Sequence, residues 1–197
     1  KLMGQLSMPV ARGIAPLLVA IPALIFLDES LSETAWIGLF LISAGILFIG
    51  LKRKQFFESL PAFGVASLTG GTIALYTLVD GVGVRLANHT MTYITWLFIA
   101  EGAAVLYILL PRIQRLKRQS RHQLILAFAG GLLSALAYGL ALYAKTKAPL
   151  GMVSALRETS VVIASMIGVF WFGEGPARIR LLAAAIVVAG IVMLALA

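Results

Sequence analysis

"SALRETSVVIASMIGVFWF" (Ser154–Phe172) places Arg157 and Glu158 side by side near the start of an apolar run. The run around it, near 150–172, is long enough to cross a bilayer, which takes about 20 residues. An ionised side chain at the centre of a membrane helix costs about 2.5–3.5 kcal/mol, so such groups face a bundle interior, pair, or mark a pathway. Neighbours on a helix diverge by about 100°, so Arg157 and Glu158 cannot pair well with each other. Each needs a partner on another helix.

The composition extends this reading to the whole chain. Of 197 residues, 60% are hydrophobic and 12% charged, and the mean hydropathy is +0.98. Soluble domains carry about 45–50% apolar and about 25% charged residues. Seven runs are long enough to span, near 8–27, 34–51, 61–82, 91–111, 123–144, 150–172 and 180–197. The expected fold is all-α, a polytopic transmembrane bundle of seven helices, because backbone facing lipid must satisfy its own hydrogen bonds. The alternating strands of an outer-membrane barrel are not present. Pro16 and Pro22 predict a kink or local unwinding in the first helix. Small residues at four-residue steps, Ala127, Gly131, Ala135 and Gly139, then Ser160, Ala164 and Gly168, suit close helix packing.

The net charge is +8, yet nucleic acid is not the expected partner. The basic residues cluster in short connections, as topology signals and lipid-headgroup contacts do. With no cysteine there is no disulfide, thiolate nucleophile or Cys-ligated metal. The chain opens on Lys1 and shows no cleavable signal peptide, so a fragment is expected. If all seven runs span, one side collects Lys1, Lys52, Arg53, Lys54, Arg112, Arg115, Lys117, Arg118, Arg121, Arg178 and Arg180, eleven of the 16 basic residues. The other holds Arg85, Lys145 and Lys147 with the acidic turn Asp28–Glu33. The positive-inside rule makes the first side cytoplasmic.

A gap-free shift of 145 residues lays the first two helices on the last two. Arg12 falls on Arg157, Glu29 on Glu174, and Ala44–Ile46 on Ala189–Ile191. Glu158 has no counterpart, since Gly13 stands there. Five steps separate the first helix from the sixth, so the two run in opposite directions and the repeat is inverted. Inverted repeats are a common construction for secondary transporters, with substrate near the midplane.

The residues "PVARGIAPLLVAIPALIFLDESLS" (9–32), "AGILFIG" (44–50), "LYTLVDGVGVRLA" (75–87), "AYGLALYAKTKAPLGMVSALRETSVVIASMIGVFWFGE" (137–174) and "AGIVML" (189–194) resemble the drug/metabolite transporter superfamily, EamA type. The resemblance covers nearly the whole chain and is not specific to any substrate. It implies ten helices in two inverted five-helix repeats. Residues 1–51 would be the last two helices of the first repeat and 61–197 the second repeat, with three N-terminal helices lacking. It implies a multi-pass inner-membrane secondary transporter, an exporter of small metabolites or amino acids, with no cofactor. The alternative is a non-transporting membrane subunit or an inactive fragment. Either a homodimer or the lacking helices would complete the bundle. The resemblance also puts the Asp28–Glu33 turn in the cytoplasm, against the basic-residue bias, and orientation stays open.

Five ionised positions fall within or beside spans: Arg12, Asp80, Glu101, Arg157 and Glu158. Glu101 is expected near the midplane and Asp80 a few residues before the end of its helix. Arg12 is expected to enter from the opposite side. The functional reading is a polar cavity. Arg157 would bind an anionic group such as a substrate carboxylate, and Glu158 or Glu101 an amine or a coupling proton. Tyr76, Trp96 and Tyr138 would line its walls. The alternative is a structural network, for example Arg157 with Asp80 or Glu101, with Asp80 snorkelling or meeting Arg85. Glu29 and Glu174 read as turn residues that cap helices or face solvent, and His89 and His122 as solvated loop histidines. No HExxH, GxSxG or P-loop motif is present, and "DGVGVR" (80–85) follows no strand.

Overall fold

The computed structural model describes the backbone of residues 2–51, 60–114, 119–173 and 176–197, and side chains within 11–48, 64–114, 119–173 and 176–197. Lys1, Lys52, Arg53, Lys54, Arg115, Lys117, Arg118 and Glu174 therefore lie outside the described residues. The described residues are helical with no strand. The elements are α1 (Leu2–Phe26), α2 (Glu33–Leu51), α3 (Leu60–Leu86), α4 (Thr90–Leu109), a 3-10 turn (Leu110–Arg112), α5 (Arg121–Ala144), α6 (Leu150–Arg157), α7 (Thr159–Phe170) and α8 (Ala177–Ala195). Five helical segments, Gly64–Leu86, Thr90–Arg112, Arg121–Ala144, Leu150–Phe170 and Ala177–Ala195, are long and apolar enough to cross a membrane. The described apolar parts of the first two helices, Ala11–Phe26 and Glu33–Phe48, are shorter.

The helix ends follow from local chemistry. α1 stops where Asp28 takes a positive φ of 52°, and the Ala23 carbonyl accepts from both Leu27 N–H and Glu29 N–H. Asp is among the few side chains that tolerate the left-handed region. Ser32 opens α2 by accepting from Ala35 N–H through its hydroxyl at 3.1 Å. Ser120 and Gln123 form a reciprocal capping box at the start of α5. α6 begins after Pro149, whose side chain offers no cap. The carboxylate of Glu29 fills that role, accepting from Leu150 N–H at 2.8 Å.

α1 stays helical through Pro16 and Pro22, without local unwinding, although each proline removes one ladder donor. One expectation about helix continuity is corrected. The span near 150–172, expected as one helix, is broken at Glu158 (φ −74°, ψ −5°). There the Glu158 N–H turns to Ala155 O, three residues back, and the Ser160 hydroxyl donates to Arg157 O at 3.0 Å. A serine that bonds the preceding turn's carbonyl competes with the helix ladder.

The chain forms two compact units, residues 1–79 with 148–197, and residues 80–147. In the first, α1 packs on α2 and α6, and α2 packs on α8. Lipid tails are as apolar as the side chains, so close fit rather than exclusion of water must hold helices together here. The α2–α8 seam achieves it with glycine: a Cβ on Gly38 would meet Gly190 O at 2.8 Å, and one on Gly45 would meet Ala183 O at 3.0 Å. Leu39, Ile42, Ile46 and Val187 fill the space beside them.

These seam contacts are exchanged by the 145-residue shift. Gly38 against Gly190 becomes Ala183 against Gly45, and Gly190 against Ile42 becomes Gly45 against Val187, and both members of each pair are in contact. The shift also carries Asp28 onto Gly173, and both have positive φ, 52° and 61°.

The second unit comprises the last turns of α3 with α4 and α5. α4 buries only Ile94, and α5 only Ala141 and Leu142, among the described residues. Gly83 lets the Tyr93 ring cross α3, since a Cβ there would meet that ring at 2.6 Å.

Candidate functional site

In the first unit, Arg12 of α1 reaches the break between α6 and α7. Its Nη1 lies 3.9 Å from Glu158 Oε2 and donates to Ser160 Oγ at 3.4 Å. The Arg12 side chain is 45% exposed and that of Glu158 13%. Glu158 Oε2 is buried and accepts no hydrogen bond among the described residues. Arg157 closes α6, and its carbonyl is the acceptor for Ser160. Glu158 thus finds its cation on another helix, as neighbouring helix positions require.

Arg12 lies deep in its helix. The helix begins at Leu2 rather than near residue 8, so Arg12 sits ten residues in, about 15 Å along the axis at ~1.5 Å per residue. That places it deep enough to meet a group seven to eight residues inside the sixth segment.

In the second unit, Asp80 is 7% exposed and is enclosed by chain groups. Tyr93 Oη donates to Oδ1 at 3.2 Å, and Tyr138 Oη donates to Oδ2. Lys145 Nζ lies 4.0 Å from Oδ2 and 5.9 Å from the centre of the Tyr138 ring. Lys145 has no exposed surface. The Phe98 ring meets Tyr138 edge-on at 6.4 Å. Arg85 Nε donates to Lys145 O at 2.7 Å, at the carboxyl end of α5.

Lys145, in the connection after α5, is buried and pairs with Asp80. α3 continues to Leu86, so Asp80 is six residues inside the helix. Five positions further on, Arg85 points about 140° away on a helix of 100° per residue.

Within the first unit Arg12, Arg157 and Glu158 lie at the α6–α7 break, and within the second Asp80 and Tyr138 join. Tyr76, Trp96 and Glu101 are exposed, and Glu101 makes no hydrogen bond or ion pair among the described residues. Sequence reading missed Lys145, Tyr93, Arg85 and Ser160. One clue was available: Tyr138, Leu142 and Lys145 share a helix face at spacings of four and three. His89 stands just before α4 without a side-chain cap bond, and His122 is exposed in the first turn of α5. Among the described residues no group of three His, Cys, Asp or Glu could hold a metal.

A family model described as the EamA-like transporter family matches residues 61–196. No curated protein and no solved structure gives a significant match.

Proposed function

The chain belongs to the EamA-like transporter family, and from that premise we propose that it is a secondary transporter exporting small metabolites or amino acids. Family and helices together make it a multi-pass membrane transporter of the drug/metabolite type. The finer reading concerns how substrate is held. Its main support is the break at Glu158, which leaves a buried carboxylate oxygen without a hydrogen-bond donor. Interrupted membrane helices with intramembrane charge are the usual setting of transporter binding sites.

In this reading Glu158 takes a substrate amine or a coupling proton, with Arg12 as its resting counter-ion. Arg157 receives an anionic group such as a carboxylate. Glu101, Tyr76 and Trp96 are the further candidate groups for substrate or proton. Residues 1–51 are the end of one repeat and 61–197 the whole of a second, the two inverted and rocking against each other in the inner membrane. The exchange of seam contacts by the 145-residue shift supports that repeat.

The test is flux of a labelled amino-acid and metabolite panel through the full-length protein in proteoliposomes, with and without a proton gradient. Glu158→Gln is expected to reduce flux at least tenfold while the protein stays folded. Folded wild-type protein that moves nothing across a broad panel sinks the transport reading. Flux unaffected by Glu158→Gln moves the site elsewhere, and Glu101→Gln then tests the other carboxylate.

A further inference from the structure

α4 and α5 meet at one end only. Ile94 and Phe98 are the side chains nearest to Gly139, at 3.9 Å from its Cβ position. One to two turns further along, Gly102 on α4 and Gly130 and Gly131 on α5 face open space. The few buried residues of these helices, Ile94, Ala141 and Leu142, all lie at the joined end.

That end is the one holding Asp80, Tyr93, Tyr138 and Lys145. One carboxylate gathers groups from three helices: itself on α3, a hydroxyl from α4, and a hydroxyl and an ammonium from α5 and its end. Arg85 adds a second tie from α3 to the carbonyl of Lys145. Polar bonds hold this end of the unit together beside a small apolar contact of Ile94 and Phe98 with Gly139 and of Phe98 with Tyr138. Such a junction suits a contact with two discrete states. All of its groups can exchange their partners for water together when the helices part, whereas an interdigitated apolar seam would have to lose its packing.

We propose that the Asp80–Lys145 pair, steadied by Tyr93 and Tyr138, is a latch that closes this end of the unit. Its release lets α4 and α5 part there while they approach each other at the Glu101 end. Lys145 and Asp80 are positioning residues in this scheme, distinct from the Glu158 site. The purpose of the latch rests on the transport reading, but its geometry does not.

The chain has no cysteine, so spin-labelled pairs can be introduced without first removing native thiols. Met91→Cys with Tyr143→Cys reports the joined end, and Tyr107→Cys with Ile125→Cys the open end; all four side chains are exposed. Distances are read by double electron–electron resonance on the full-length protein in lipid nanodiscs. The neutral double variant Asp80→Asn/Lys145→Met removes both charges and leaves neither uncompensated. A longer population at the joined end together with a shorter one at the open end is expected. Tyr93→Phe/Tyr138→Phe should shift both distances the same way to a smaller extent.

Unchanged distances at both ends overturn the latch. So does lengthening at the joined end with no change at the open end, which describes a static strut. Should the charge-neutral variant fail to insert, the tyrosine variant carries the test with the same outcomes. The distances need no substrate. Absence of flux would therefore count against the transport reading alone and leave the distance result standing.

Discussion

Each unit sets one acidic side chain beside one cation at nearly the same separation: 3.9 Å for Glu158 with Arg12 and 4.0 Å for Asp80 with Lys145. The surroundings differ. Asp80 has a phenol on each oxygen and a lysine with no exposed surface. Glu158 has a buried oxygen that accepts no hydrogen bond among the described residues, and its arginine side chain is 45% exposed. A carboxylate whose partners are all supplied by the chain is built to stay as it is until the helices move. One with an unfilled acceptor and a reachable counter-ion is built to exchange partners. Pair distance alone would have made the two look equivalent.

The contrast breaks most readily at Asp80. Asp80→Asn strands the buried Lys145 charge and is expected to cost about 3–5 kcal/mol, the largest fall in thermal midpoint of any single change considered. Asp80→Asn/Lys145→Met should lose less than Asp80→Asn alone. If Asp80→Asn is no more damaging than Glu158→Gln, the two sites are not different in kind. Tyr93→Phe removes one donor and should cost about 0.5–1.5 kcal/mol, with the helices still folded by circular dichroism. Glu29→Ala strips the cap from α6 and should cost about 1 kcal/mol, with faster hydrogen exchange confined to the first turn of that helix. Glu158→Gln should lower stability less than Asp80→Asn, because the Arg12 side chain it leaves behind is 45% exposed and keeps its bond to Ser160. Its loss should appear in flux.

Much of the architecture was legible because membrane helices announce themselves by long apolar runs. The 145-residue spacing of Arg12 and Arg157, and of Gly45 and Gly190, is also visible in the sequence, and the seam contacts follow the same shift. What stayed hidden had definite causes. The polar start of the first helix, with Gln5 and Ser7, obscured its true beginning, and with it the depth of Arg12. Lys145 follows the last apolar turn of α5 and precedes Lys147 and Pro149, so local composition reads as a loop. Its ion-pair partner, Asp80, lies 65 positions earlier, a pairing that the shared face of Tyr138, Leu142 and Lys145 does not by itself reveal. The break at Glu158 falls at the polar stretch Arg157–Ser160, which the long apolar segments on either side masked. The competition between the Ser160 hydroxyl and the helix ladder marks it.

The glycine seam between α2 and α8 bears on how such a chain can change over time. On the proposed repeat, one flank of the seam is the other flank carried through 145 residues, so a single ancestral half would build both sides at once. After duplication the halves are not at liberty to drift apart there. A larger residue at Gly45 would strike the Ala183 carbonyl, and one at Gly190 the Gly38 carbonyl. Neither copy can supply the room the other has lost. The charged position differs between the halves: Glu158 stands where the shift brings Gly13, whose own room is taken by Leu47. Novelty can accumulate in one half there while the seam holds both to a common shape.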